Sequence, residues 1–195
     1  TEPAGVRILN TLTSLNGISQ KLYFDENNDI SGKEITIKNS ENQVVKYEIR
    51  NAKDQVNHSV EYQYNDLNKE IYVLKDDVAG HIKEEKHFSY DNIGMVIKDS
   101  TYLNNNLNGK TLYEYTDGFL SKKIIIDRKN KVDYEILFTN NIKGLVLVEK
   151  FIYHGELLNS IQREYDQNKN MVLEKRFNNQ NQLLRTKNWE YTCPN

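Results

Sequence analysis

Clusters of Asn, Asp and Gly interrupt the chain at regular intervals of about a dozen residues, and they constrain its fold more than any other feature. The two prolines are Pro3 and Pro194, so the turns between the termini must be made by Asn, Asp and Gly, which accept the backbone conformations of tight turns. Thirteen such clusters begin at residues 25, 39, 51, 65, 76, 91, 104, 117, 127, 140, 154, 166 and 178. Turns spaced in this way are typical of an all-β chain.

The segments between the turns alternate apolar and polar residues, the period of two that a half-buried strand requires. In one of them Tyr134, Ile136 and Phe138 fall on one face, and Asp133 and Glu135 fall on the other. We therefore predict an antiparallel meander of about fourteen strands in repeated hairpins.

An aromatic residue recurs just before every second turn, at intervals of 23 to 27 residues. The series is Tyr64, Tyr90, Tyr115, Phe138, Tyr165 and Tyr191. Three of the six, Tyr64, Tyr90 and Tyr165, are followed directly by Asp or Asn, and the pattern is most complete in Tyr90-Asp91-Asn92-Ile93-Gly94. This step resembles the YD repeat of the RHS family. The resemblance covers roughly residues 24–191 and implies a β-sheet shell or scaffold that encloses or presents an active partner.

A meander of this length has two wide faces, and its sheet must curve, split into two layers or stay flat. About fourteen strands spaced by about 4.8 Å would make a ribbon about 65 Å wide, and open sheets of more than about ten strands usually curl or split. We expect a strongly curved or barrel-like sheet, with a two-sheet sandwich and a flat open layer as alternatives. The aromatic face would line a pocket in a barrel and would form the core in a sandwich.

The N-terminal 21 residues follow a different pattern. Gly17 stands where a helix would end, and five apolar residues before it recur near helical spacing: Val6, Ile8, Leu9, Leu12 and Leu15. We predict a short helix or irregular arm over residues 1–21, with a linker tail as the alternative, and a single repeat domain over residues 22–195.

Composition makes several classes of partner improbable. The chain has 26 Lys and Arg against 28 Asp and Glu, with the signs mixed, so we expect no nucleic-acid partner. No apolar stretch approaches the roughly 20 residues of a membrane-spanning helix, so we expect no transmembrane segment. Cys193 is the single cysteine and cannot form an intrachain disulfide. The chain begins at Thr1, which would fit a removed export signal, and we expect a periplasmic, cell-surface or secreted protein.

We find no signature of a catalytic or metal site. The four histidines lie in separate repeats without the spacing of a helical metal site, and no acidic turn has the ligand order of an EF-hand. Nucleophile, phosphate-loop and dinucleotide motifs are absent from the sequence. We therefore predict no catalytic residue, no metal and no cofactor.

The aromatic residues remain as candidates for binding. We select Tyr62, Tyr113, Trp189 and Tyr191, because each shares a predicted strand face with another aromatic residue. Cross-strand packing is the alternative role for all four. The expected function is an exported, non-catalytic binding or scaffold module whose partner is a protein, a glycan or a small apolar ligand. The alternatives are a carrier that encloses a small molecule and an enzyme that acts on a polysaccharide.

Overall fold

The computed structural model describes residues 7–13 and 17–191, and all the regular structure in these residues is β-strand. The strands are β1 (Arg7–Thr13), β2 (Ile18–Phe24), β3 (Ile30–Lys38), β4 (Val44–Asn51), β5 (Val56–Tyr64), β6 (Glu70–Asp77), β7 (Ile82–Tyr90), β8 (Val96–Leu103), β9 (Asn106–Thr116), β10 (Phe119–Asp127), β11 (Val132–Asn140), β12 (Val146–Tyr153), β13 (Glu156–Tyr165), β14 (Met171–Asn178) and β15 (Leu183–Asn188).

The described residues fall into two compact units. The first contains the residues up to Met95 together with Ser100–Asn108, and its strands β1 to β7 pair antiparallel in chain order. The second contains Val96–Asp99 and the residues from Gly109 onward, and its strands β9 to β15 pair in the same way. Strands β8 and β9 each contribute residues to both units.

The predicted antiparallel meander is confirmed. Each of the thirteen predicted turn clusters joins two successive strands, and the strand order follows the sequence without a crossover. The order begins at β1 and ends at β15, which are not neighbours, so the sheet is not closed and the barrel-like form is not supported.

The predicted N-terminal helix is not supported either. Residues Arg7–Thr13 form strand β1, which pairs with β2 from Arg7 opposite Phe24 to Thr13 opposite Ser19. Three of the seven residues of this segment are β-branched, and β2 pairs with it on both sides of a register shift between Leu9 and Leu12, which outweighs the helical spacing of its leucines. It is the strand that the predicted count of about fourteen omits. Val6, Leu15 and Cys193, which the sequence analysis also considered, lie outside the described residues.

Nine of the turns share one construction, which explains their Asn and Asp content. In the turn that begins at Asp166, the carboxylate Oδ1 accepts hydrogen bonds from the backbone N–H of Asn168 at 2.8 Å and of Asn170 at 2.9 Å. The fourth residue, Lys169, has a φ of 68°. The backbone hydrogen bond from Asn170 lowers the pKa of Asp166. The other turns of this type begin at Asp25, Asn39, Asn51, Asn65, Asp91, Asp127, Asn141 and Asn178.

Few side chains are buried. The buried apolar residues among those described are Val60 and Val73 in the first unit and Ile126 and Ile161 in the second, and none is aromatic. Most other side chains in the strands are half-buried or exposed. The hydrogen-bonded turns and the cross-strand pairs therefore do more to determine the fold than a central core does.

The tyrosine that precedes every second turn has one repeated role. Tyr64 Oη donates a hydrogen bond to the carbonyl oxygen of Val44 at 2.8 Å, and Tyr90 Oη donates one to that of Glu70 at 2.6 Å. Each acceptor is the first residue of the strand that follows the previous turn at the same end of the hairpins. We call these residues the ladder tyrosines: Tyr64, Tyr90, Tyr115 (bonded to Val96), Tyr165 (to Val146) and Tyr191 (to Met171).

The sequence analysis assigned Phe138 to this series, and that assignment is wrong. The equivalent position is Asn140, whose Nδ2 donates to the carbonyl oxygen of Leu120 at 2.8 Å. Phe138 lies two residues earlier, in the position that Tyr62 occupies before Tyr64. The aromatic series missed Asn140 because its side chain is not a ring.

We expect Tyr64→Phe to lower the free energy of unfolding by about 1 kcal/mol, because it removes one hydrogen bond to a backbone carbonyl and leaves the ring in place. Tyr62→Phe is the matched control on the same strand, since no hydrogen bond from its hydroxyl is found in the described part of the chain. Urea unfolding of both variants measures the difference. Equal stabilities would contradict a stabilising role for the ladder bond.

Candidate functional site

Two of the four predicted binding residues lie on strands of different units. Tyr62 is half-buried on β5 in the first unit. Tyr113 is on β9 in the second unit, where its hydroxyl donates to Asp99 Oδ2 at 2.6 Å and Lys123 Nζ lies 5.4 Å from its ring centre. Burial, together with the hydrogen bond to Asp99, raises the pKa of Tyr113. The ring face of Tyr113 is therefore already covered by Lys123, and its hydroxyl is already hydrogen-bonded to Asp99.

The other two predicted residues do not form a strand face. Strand β15 ends at Asn188, so Trp189 and Tyr191 lie beyond it. The Trp189 backbone N–H donates to the carbonyl oxygen of Val172 at 3.1 Å, and the exposed Tyr191 is a ladder tyrosine. Strands β10 to β14 separate Tyr113 from these residues. The structure therefore does not bring the predicted residues together, and their binding role stays a prediction.

The second unit carries a group of exposed rings that the sequence analysis missed. Tyr134 on β11 lies directly opposite Tyr153 on β12, with ring centres 4.9 Å apart, and the ring of His154 lies 4.0 Å from that of Tyr153. Tyr134 and Tyr153 are 36% and 38% exposed, so both rings offer surface to solvent. We call Tyr134, Tyr153 and His154 the ring patch.

The ring patch continues along the same sheet face. Ile136 lies opposite Phe151, and Phe138 lies opposite Glu149, each pair two residues further along β11. Residues two apart on a strand share a face, so an apolar row runs from Tyr134 to Phe138. The sequence alternation identified the β11 half of this row. Its β12 half depends on the register of the pair, which alternation alone does not determine.

A smaller ring group lies in the first unit. The ring of His87 on β7 is 5.0 Å from that of Tyr72 on β6 and 5.3 Å from that of Tyr102 on β8, in edge-to-face arrangements. Tyr72 and Tyr102 are half-buried, and the His87 side chain is half-exposed and lies 3.7 Å from Glu85. These rings pack mainly on one another, which is the cross-strand packing role that the sequence analysis also allowed.

A groove of about 540 Å³ opens where Asn140 replaces a ladder tyrosine. Its apolar lining is Phe119, Phe138 and Ile142, and the Ile142 side chain is almost fully exposed. Thr116, Asp117, Ser121 and Thr139 add hydroxyl and carboxylate groups to the lining. We call this the Asn140 groove.

The corresponding place in the first unit contains a ring and less free space. There Tyr64 stands where Asn140 stands, Tyr62 stands where Phe138 stands, and the space is about 240 Å³. Its lining is also more polar, because Asp66 takes the place of Ile142. The groove at Asn140 is therefore the larger and the less polar of the two.

The turn next to the groove leaves room for the ring of Phe119. Gly144 is the fourth residue of the Asn141 turn, with a φ of 78°, and a Cβ atom at this position would overlap the ring of Phe119. The absence of a side chain therefore lets the ring of Phe119 lie directly against the turn.

Two acidic side chains converge on the ring-patch face, as an enzymatic role would require. Glu149 Oε2 lies 2.8 Å from Arg163 Nη2, and Glu174 Oε2 lies 3.2 Å from Arg163 Nε. Burial alone would lower the pKa of Arg163, but its hydrogen bonds to the two carboxylates outweigh burial and raise it. Both carboxylates are thus occupied by one permanent cation.

Among residues 7–13 and 17–191, no group of three or more His, Cys, Asp or Glu side chains is placed to hold a metal ion. Nor does a helix long and apolar enough to cross a membrane occur in that part of the chain.

No family model matches the chain, and no curated protein matches its sequence. Among solved structures it is similar to a porin-like protein from Bacteroides uniformis ATCC 8492, with 10% identity and a TM-score of 0.45 over 89% of this chain and 88% of that one. It is also similar to TcdB2-TccC3-TEV (12% identity, TM-score 0.31) and TcdB2-TccC3 (12%, 0.30), over 87% and 92% of its own length. It spans 13% and 14% of those two chains. At these TM-scores the similarity carries no argument about the family or the function of this chain.

Proposed function

We propose that the protein is a non-catalytic binding module whose binding surface is the ring patch on β11 and β12. The observation that carries this proposal is the direct pairing of Tyr134 with Tyr153, both more than a third exposed, beside the exposed His154. Exposed rings grouped in this way are unusual on a surface that only needs to be soluble. The resemblance to YD repeats adds the proposal of an exported scaffold that presents such a surface.

The ligand class that we propose for the ring patch is a neutral glycan. Tyrosine rings offer flat apolar faces with a polar rim, which suit the C–H faces and hydroxyl groups of a sugar. Asp133 Oδ1 lies 3.8 Å from His154 Nε2 and places hydrogen-bonding groups beside the rings. A membrane or nucleic-acid surface would instead call for clustered positive charge, which the ring patch lacks.

Affinity electrophoresis through gels that contain single neutral polysaccharides tests the proposal. We expect at least one polysaccharide to retard the native protein, and we expect the double variant Tyr134→Ala/Tyr153→Ala to bind it about tenfold more weakly, since both stacking surfaces are lost. The Leu67→Ala variant removes a 59% exposed apolar side chain from the first unit and should bind normally.

Unchanged binding by the double variant would contradict the role of the ring patch, and failure of every glycan would contradict the ligand class. The polysaccharide-acting enzyme remains an alternative proposal, but its strongest carboxylate pair, Glu149 and Glu174, is bound to Arg163. The carrier alternative requires space that the protein's own rings leave free, which in the second unit is the Asn140 groove.

A further inference from the structure

We propose that the Asn140 groove is a binding site for a phenol ring, that is, a planar six-membered aromatic ring that carries a hydroxyl group. This site is separate from the ring patch and does not depend on its function. The groove is a position of the tyrosine ladder from which the ring is missing.

The ladder defines what fits this position. At five equivalent positions a phenol ring lies between neighbouring hairpins of the same unit, and its hydroxyl donates to a backbone carbonyl 19 or 20 residues earlier at 2.6 to 3.1 Å. At the sixth position Asn140 keeps the hydrogen bond, to Leu120, but supplies no ring. Neighbouring hairpins of the repeat therefore form the two sides of a space for a ring, and at Asn140 no side chain supplies that ring.

The lining is suited to an external ring. Phe119 and Phe138 line the groove, and Ile142, 96% exposed, stands at its rim. In the filled position of the first unit, the residues that correspond to Phe119 and Ile142 are Gln43 and Asp66. Compared with this one filled position, the Asn140 groove therefore has apolar side chains in both places.

The groove also has acceptors for a phenol hydroxyl. The hydroxyl groups of Thr116, Ser121 and Thr139 line the groove and can accept a hydrogen bond. Asp117 adds a carboxylate to the lining. A ring without a hydroxyl group could not donate to the Asp117 carboxylate, so it should bind more weakly than a phenol.

NMR titration of isotope-labelled full-length chain with p-cresol tests the proposal. We expect saturable shifts at the amides of Phe119, Phe138 and Asn140. Toluene, which lacks the hydroxyl, and cyclohexanol, which lacks the flat ring, should each bind at least about tenfold more weakly. N-acetyl-tyrosinamide distinguishes the two possible sources of the phenol ring. If it binds, the ring can be a tyrosine side chain of a partner protein; if it does not bind, the site takes only free phenols.

The decisive variant is Asn140→Tyr, which restores the ladder. We expect the added ring to occupy the groove, to lower the affinity for p-cresol at least tenfold and to leave the thermal midpoint unchanged or higher. Ser121→Phe fills the same groove from β10 without removing the Asn140 hydrogen bond and serves if Asn140→Tyr does not fold. Val45→Phe, at the corresponding position of the first unit, is the matched control and should bind p-cresol normally.

The absence of saturable shifts with p-cresol would overturn the site, as would normal affinity in a folded groove-filling variant. Equal affinity for toluene would overturn the phenol assignment. The Tyr134→Ala/Tyr153→Ala variant should bind p-cresol normally, so failure of the glycan proposal and failure of this one are observed separately.

Discussion

Glu48→Ala is expected to lower the free energy of unfolding by about 3 kcal/mol, a large effect for a side chain on a sheet with so little core. Glu48 is 5% exposed, and its carboxylate accepts hydrogen bonds from Arg50 Nη2 at 2.6 Å and Nε at 2.8 Å and lies 3.0 Å from Lys46 Nζ. The truncation removes the partner of two cations and leaves a gap on β4. Urea unfolding near neutral pH measures the change.

Glu61→Ala provides the matched control. Its carboxylate lies 3.1 Å from the same Lys46 Nζ, but its side chain is 45% exposed. Solvent screening makes exposed ion pairs weak, so we expect a change of at most about 0.5 kcal/mol. Similar losses of unfolding free energy in the two variants would show that burial does not make the Glu48 interactions stronger than those of the exposed Glu61.

Glu48 also predicts how stability depends on pH. Burial opposes ionisation, but the hydrogen bonds from Arg50 and Lys46 outweigh it, so the pKa of Glu48 is lowered from its ordinary value of 4.5. The ionised carboxylate therefore stabilises the folded state fully above pH 4.5, and this contribution is lost as the pH falls through the lowered pKa. Glu48→Gln should lose less stability than the native protein over that acid range.

Gly144→Ala is expected to lower the free energy of unfolding by about 3 kcal/mol, from two separate causes. A non-glycine residue with a φ of 78° costs about 1 to 2 kcal/mol. The new Cβ also overlaps Phe119, which must move or strain the turn. Thermal or urea unfolding gives the total.

The chain offers controls that separate these two causes. Gly118 and Gly155 have φ values of 79° and 86° with nothing within 4 Å of a Cβ, so alanine there should cost about 1 to 2 kcal/mol from the backbone alone. The double variant Gly144→Ala/Phe119→Ala removes the overlap and should show a favourable coupling energy relative to its single variants. Equal losses at all three glycines would mean that the contact with Phe119 is unimportant.

The sequence predicted the strands well because turn chemistry is local. In nine turns an Asn or Asp side chain bonds to the backbone of its own turn, so positions such as Asp91 and Asp166 can be identified without knowledge of the rest of the fold. The error at the N-terminus has the opposite cause. Strand β1 exists because β2 lies beside it, and pairing with a neighbour is not encoded in the spacing of three leucines.

The candidate sites were harder to predict because they depend on register. Tyr134 and Tyr153 are neighbours only because of the pairing of β11 with β12, which the alternation of each strand leaves undetermined. The Asn140 groove was missed for a different reason. Searching for rings finds the positions that follow the repeat, whereas the groove is the position that departs from it, although a strict interval of about 25 residues from Tyr115 would have identified it.

The direction of the ladder bonds has a consequence for how the chain is made. Every ladder tyrosine reaches back to a carbonyl 19 or 20 residues earlier, and none reaches forward. During synthesis, the turn at Asn39 therefore receives its final hydrogen bond only when Tyr64 has left the ribosome. Each turn at this end of the hairpins can therefore complete its hydrogen bonds only after the following hairpin has been made, so these turns become complete in order from the N-terminus.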